Sequence, residues 1–268
     1  PSIGNIIFGS PLALAFTQRA IGRYSLGRPG WRDDQRHGPA MARSADPLSY
    51  ATVVAYAYCV AIPFGVLRPD DSAVREIEDA LRIAERSGDD LAVSLAQMTL
   101  GVALVHRHTD AERDRGYKLL AEVSDMLLRQ GHNLAELPMV NVYLAREAAR
   151  RGDRDDAIPL VRAAVDHLFR EEKLLMWGIP TTGVLVETLL DRGAESDVAE
   201  AEAAIERFAA APAEEDLVIR DIWLLRLRAL LARAHGDEAS YRDYRDRYRA
   251  MATSLGFEGH VKWAEAMP

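Results

Sequence analysis

Apolar residues recur every three or four positions along most of the chain. Val74, Ile77, Leu81 and Ala84 follow this spacing, and so do Ile158, Val161, Val165 and Leu168. A period of 3.6 residues places such positions on one face of an α-helix, and strand-like alternation is missing. Ser10-Pro11 and Asp46-Pro47 read as helix starts, each an N-cap followed by a proline at the first helical position. Stops fall at Gly27, Gly88, Gly131, Gly152, Gly193 and Gly236. The pattern predicts six antiparallel helix pairs: 11–26 with 31–45, 47–67 with 71–87, 90–106 with 110–130, 135–151 with 154–171, 179–192 with 196–210, and 215–235 with 238–255. A short helix over 259–266 would cap the stack.

The turns at Gly152, Gly193 and Gly236 are spaced 41 and 43 residues apart. Regular spacing of this kind marks stacked helical hairpins. Small residues within a pair let two helices approach, as in tetratricopeptide (TPR) repeats; Leu144-Ala145, Ala148, Gly152-Asp153, Ala157-Ile158 and Ala164 form the clearest copy. Leu100-Gly101 with Leu104 is a second. The expected fold is therefore all-α, a TPR-like right-handed superhelical solenoid whose period is nearer about 40 than the standard 34 or so. It forms one domain over residues 1–268: an irregular N-terminal hairpin (1–45), regular helix pairs (46–255) and a C-terminal cap (256–268). Irregularity is expected in 1–45 because Arg28, Pro29, Gly30, Gly38 and Pro39 oppose regular helix. A solenoid touches only sequential neighbours, so an elongated, curved molecule is expected, with a radius of gyration above the roughly 18 Å of a compact domain of this length.

Composition narrows the function. A net charge of -8 argues against an extended nucleic-acid surface. The single cysteine, Cys59, excludes an internal disulfide and thiolate-rich zinc sites, fits a reducing cytoplasm, and reads as a small buried side chain. The apolar stretch from Ile3 to Phe16 is broken by Gly9, Ser10 and Pro11 and lacks a basic leader, so neither a signal peptide nor a membrane span is expected.

Several strings resemble a known family: GRPGWRDD from Gly27, YATVVAY from Tyr50, EIEDALRIAERSGDDLA from Glu76, YLAREAARRGD from Tyr143, VIRDIWLLRLRALLARA from Val218, YRDYRDRYRAMATSLGFEGH from Tyr241 and the closing WAEAMP. Over essentially its whole length the chain resembles the C-terminal TPR-like region of multidomain actinobacterial, especially mycobacterial, adenylate cyclases. In such proteins a class III cyclase domain and a transcriptional-regulator-type NTPase module precede the helical region. The resemblance implies that this chain is the C-terminal part of a larger signalling protein and that the cyclase chemistry lies outside it.

No catalytic, cofactor-binding or metal-binding residues are expected. Neither GxxxxGK[ST] nor GxGxxG occurs. His106 and His108 lie two apart, point away from each other on a helix, and read as a solvated helix end. Asp153, Asp155 and Asp156 lack the glycine and glutamate of a calcium loop and read as first-turn carboxylates. Tyr241, Tyr244 and Tyr248 share one helical face, as core packing requires. Trp31, Trp177, Trp223 and Trp263 read as packing anchors between neighbouring hairpins rather than ligand cages.

A regulatory interaction module is the leading expectation, with the first helix of each pair lining a concave surface. The TPR register puts Arg146, Arg150, Glu187, Asp191, Arg226 and Arg233 on or near that surface. They would pair with charged groups of a protein or peptide partner, or of the other domains of the parent chain. Alternatively they are solvated charges in surface ion pairs worth about 0–1 kcal/mol each. A different expectation is a small-molecule effector-sensing domain whose ligand sits between helices; a closed apolar pocket rather than an open groove would favour it.

Overall fold

The computed structural model describes residues 10–130, 136–171, 177–212 and 217–268. Among the described residues the chain forms thirteen helices and no strand: α1 (Pro11–Ser25), α2 (Trp31–Ala42), α3 (Pro47–Ala61), α4 (Asp71–Ser87), α5 (Asp90–Val105), α6 (Asp110–Gln130), α7 (Leu137–Arg150), α8 (Arg154–Arg170), α9 (Ile179–Arg192), α10 (Glu195–Ala210), α11 (Val218–Ala234), α12 (Glu238–Leu255) and α13 (Glu258–Glu265). The expected stop at Gly131 and the expected starts at 135 and 215 lie outside the described residues, as does the N-terminal stretch 1–9.

Local chemistry sets the boundaries. Pro11 and Pro47 open α1 and α3, where a missing N–H costs no helical bond. The Asp46 carboxylate accepts the Ser49 N–H at 2.9 Å, and Asp89 accepts those of Leu91 and Ala92 at 3.0 Å each. At the predicted turns, Gly152, Gly193 and Gly236 adopt φ of 114°, 70° and 73°, a left-handed backbone that other residues enter only with strain.

The odd-numbered helices α1, α3, α5, α7, α9 and α11 each pack on the next odd one and form an inner layer. The even helices lie outside, each against its own hairpin partner and the following odd helix. α3 and α5 are buried almost all round because neighbours cover them on every side. Their apolar residues join two core clusters, one centred on the first hairpins and the other running through α7 to α13. Cys59 is buried there, its Sγ 3.5 Å from Thr99 Oγ1, and burial pushes the thiol up to about 12. Tyr241 and Tyr248 are buried and Tyr244 packs beside them, the core role their spacing suggested.

The array does not stay open. α1 also packs against α11, and Gly27 at the end of α1 lies against Val218 and Leu255. Arg32 on α2 donates to the Gly256 carbonyl and pairs with Glu258 at 3.5 Å, while Trp31 meets the Phe257 ring edge-on at 6.0 Å. α13 docks on the turn after α3, where the Val66 and Gly65 carbonyls accept the N–H groups of Glu258 and His260 at 2.9 Å each. Those N–H groups belong to the start of a helix and have no partner within it, so the distant turn satisfies them. The Trp223 indole N–H donates to the Phe64 carbonyl at 3.2 Å across 159 residues of sequence. Total accessible surface is 12896 Å², about a tenth above the roughly 11,600 Å² expected for a compact monomer of this 29.7 kDa mass.

These contacts correct four expectations. Contacts are not confined to sequential neighbours, so an elongated outline does not follow. Trp31 and Trp223 join segments far apart in the chain, α2 to the start of α13 and α11 to the turn after α3, rather than neighbouring hairpins. α3 stops at Ala61 instead of 67, because Pro63 lacks an N–H and Gly65 turns at φ 72°, which exposes the carbonyls that α13 uses. The first hairpin is also regular where irregularity was expected. Gly27 and Gly30 supply the left-handed turn, Gly38 lets α2 press on Thr17 of α1, and buried Asp34 accepts Arg19 Nε at 2.8 Å and Arg23 Nη1 at 2.7 Å.

A candidate binding funnel

The inner layer encloses a funnel. Its walls come from α7, α9 and α11, and its closed side from α13 and the turn after α3. All six charged residues singled out in the sequence line it. Three recesses adjoin around Glu187: a floor of about 80 Å³ bounded by His106, Tyr143, Arg146, Arg150, Arg226 and Trp263 among others, a wall recess of about 200 Å³ reaching Arg154 and Asp191, and a rim recess of about 440 Å³ that includes Arg233. The lining therefore carries five arginines, Arg146, Arg150, Arg154, Arg226 and Arg233, against two carboxylates, Glu187 and Asp191. It is locally positive in a chain of net charge -8.

Arg146 is held by the end of α5. Its Nη2 donates to the Val105 carbonyl at 2.7 Å, and Arg150 Nη1 reaches the same oxygen at 3.4 Å. Carbonyls at a helix C-terminus carry partial negative charge and have no partner in the helix, which favours cations there. Arg146 Nη1 lies 3.1 Å from His106 Nε2, while His106 Nδ1 lies 2.7 Å from the Val102 carbonyl. A carbonyl only accepts, so Nδ1 carries the proton and Nε2 accepts from Arg146. Burial, then the charge of Arg146, keeps the imidazole well below its ordinary pKa, and it stays neutral. His106 is thus a packed support, edge-on to Tyr143 at 4.9 Å, rather than the solvated helix end expected. His108 is exposed and faces Arg68 at 3.1 Å.

The charges differ in how far they are compensated. Arg226 pairs with Glu187 and lies over the Trp263 and Trp223 rings at 4.8 and 5.5 Å. Arg150 donates to Glu147 at 2.7 Å. Glu147 is buried and is the one carboxylate shared by Arg150, Arg146 at 3.7 Å and Arg113 at 3.8 Å. Burial and then the neighbouring Arg150 push Arg146 down to about 10. On the rim, burial and Glu187 raise the pKa of Asp191. Ion pairing thus accounts for Glu187 with Arg226 and part of Arg150, and it leaves Arg146 with only the distant, shared Glu147 at 3.7 Å.

Sequence reasoning missed His106, Tyr143, Glu147, Arg154 and Trp263. Glu147 lies beside Arg146 and Arg150 in the string YLAREAARRGD and could have been read with them. Trp263 could not, since only the return of α13 across the molecule brings it to the funnel. Trp223 and Trp263 border the floor as well as anchoring the fold, so the choice between anchor and cage was too sharp.

Among the described residues no group of three or more His, Cys, Asp or Glu side chains could hold a metal ion. Among them also, no helix is long and apolar enough to cross a membrane. No protein-family model and no curated protein matches the chain.

Proposed function

We propose that this chain is a non-catalytic regulatory module that receives its partner in the funnel. The observation that carries the reading is the convergence of Arg146, Arg150, Glu187, Asp191, Arg226 and Arg233, from three inner helices, on one concave surface. The layered hairpins with glycine turns support the finer reading of the fold as a TPR-type right-handed superhelix. The resemblance of the long strings to the C-terminal region of multidomain adenylate cyclases supports a place in a cytoplasmic signalling protein whose chemistry would reside in other domains. The partner would be a protein, a peptide or another domain of the parent, and the carboxylates among the arginines disfavour nucleic acid.

A specific observation also favours the effector-sensing alternative, in which the module serves a regulator-like NTPase. The return of α13 and the turn after α3 narrows the funnel to a floor of about 80 Å³, room for one charged group of a ligand whose remainder would lie in the wall recess of about 200 Å³.

The test uses immobilised wild-type chain and an Arg150→Glu/Asp191→Lys variant, two exposed sites whose exchange reverses the local charges. Each is challenged with cytosol, with and without small-metabolite extract. Retention of a partner or metabolite by the wild type and its loss by the folded variant supports the reading. An identical retained set rules the funnel out as the binding surface.

A further inference from the structure

The funnel floor holds more positive charge than it neutralises. Glu147 is the buried carboxylate beside Arg146 and Arg150, and of these only Arg150, at 2.7 Å, lies within hydrogen-bonding distance of it; Arg113, 3.8 Å away, is paired with Asp110. Arg226 is already paired with Glu187. Arg146 is fixed by two neutral acceptors, the Val105 carbonyl and His106 Nε2, and its buried Nε has no partner. A guanidinium carries five N–H donors, so one on each of Nη1 and Nη2 remains for a ligand. Its side chain is 14% exposed, and it lines both the floor and the wall recess together with Arg150.

We propose that Arg146 and Arg150 form a binding site for the oxyanion, carboxylate or phosphate, of a small soluble ligand. The inference rests on reading the funnel as the binding surface and names the chemistry that surface takes. Arg146 is preorganised by His106 and the α5 terminus, so little side-chain freedom is lost when an anion arrives. Planar donor forks match carboxylate and phosphate oxygens. The floor of about 80 Å³ has room for two or three waters at about 30 Å³ each, and so for one such group. The rest of the ligand occupies the wall recess of about 200 Å³, where Arg154 stands beside Glu187 and Asp191.

Calorimetric titration at low ionic strength tests this, with inorganic phosphate in one arm, acetate in the other, and chloride at matched ionic strength as control. The expected result is saturable one-to-one binding of at least one oxyanion, and the arm that saturates identifies the group. Arg146→Gln and Arg150→Gln should each weaken it by about tenfold or more, the loss expected when a charge-assisted hydrogen bond is removed. Arg247→Gln, on an exposed stretch of α12, should leave it unchanged. If Arg146→Gln fails to fold, Arg150→Gln decides, because that side chain is 48% exposed. Binding no stronger than that of chloride, or equal affinity in folded Arg150→Gln, overturns the site. Should a partner still be retained through Arg150 and Asp191, the regulatory reading stands and only the anion site falls.

Discussion

Replacing Gly65 with alanine probes the contact that closes the molecule. Gly65 has φ 72°, and a methyl group there would lie 2.5 Å from Trp263 Cζ3 and 2.9 Å from His260 Nε2 on α13. Gly88 offers the control: it ends α4 at φ 70° with nothing within 4 Å of the added methyl. Alanine at either site bears the left-handed backbone penalty of about 1–2 kcal/mol. Only Gly65→Ala also forces two packed rings to move, and overpacking of this kind costs about 1–3 kcal/mol more. The expected losses are therefore about 1–2 kcal/mol for Gly88→Ala and about 2–5 kcal/mol for Gly65→Ala. Urea unfolding followed by tryptophan fluorescence measures both, with unchanged m-values required for the comparison. Equal losses, within about 0.5 kcal/mol, would mean that α13 does not pack on the turn after α3, and the closed funnel would go with it.

Two further outcomes follow from buried groups in the first hairpins. Arg19 and then Arg23 hold the Asp34 carboxyl below the ordinary carboxylate range, so its stabilisation is complete above the unfolded pKa near 4 and is lost as pH falls through the lower folded value. Asp34→Ala should cost about 1.5–3 kcal/mol at neutral pH and flatten the acid limb of a stability-pH curve; an unchanged limb would refute the pairing. Cys59 is buried, with its thiol raised to about 12, so a thiol reagent should label it only at the rate of unfolding. Fast labelling of the folded chain at neutral pH would contradict its place between α3 and α5.

Much of the fold was legible because each helix carries its own punctuation. Pro47 with Asp46, and the glycines at 88, 152, 193 and 236, mark boundaries through backbone chemistry that depends on no distant residue. The six charged funnel residues were legible for a related reason: repeat register assigns a helix face before any tertiary contact is known. Closure was not legible. It depends on Gly65 meeting Gly259, Trp223 reaching the Phe64 carbonyl, and Arg32 reaching Gly256, contacts between residues far apart in the chain that follow no local period. The same gap hid Trp263 from the funnel and made the first hairpin look irregular, because Pro39 and Gly38 were weighed without the Thr17 surface against which α2 packs.

Small-angle X-ray scattering on verified monomer tests most directly whether the hairpins curve round until their ends meet. An unclosed two-layer stack of six hairpins, at about 10 Å per inner helix, would extend about 60 Å, with a radius of gyration above about 20 Å. Closure through α1 with α11, and through α13 with the turn after α3, predicts a value close to the roughly 18 Å of a compact chain of this length. A value clearly above about 20 Å would show the ends apart and the funnel without its closed side.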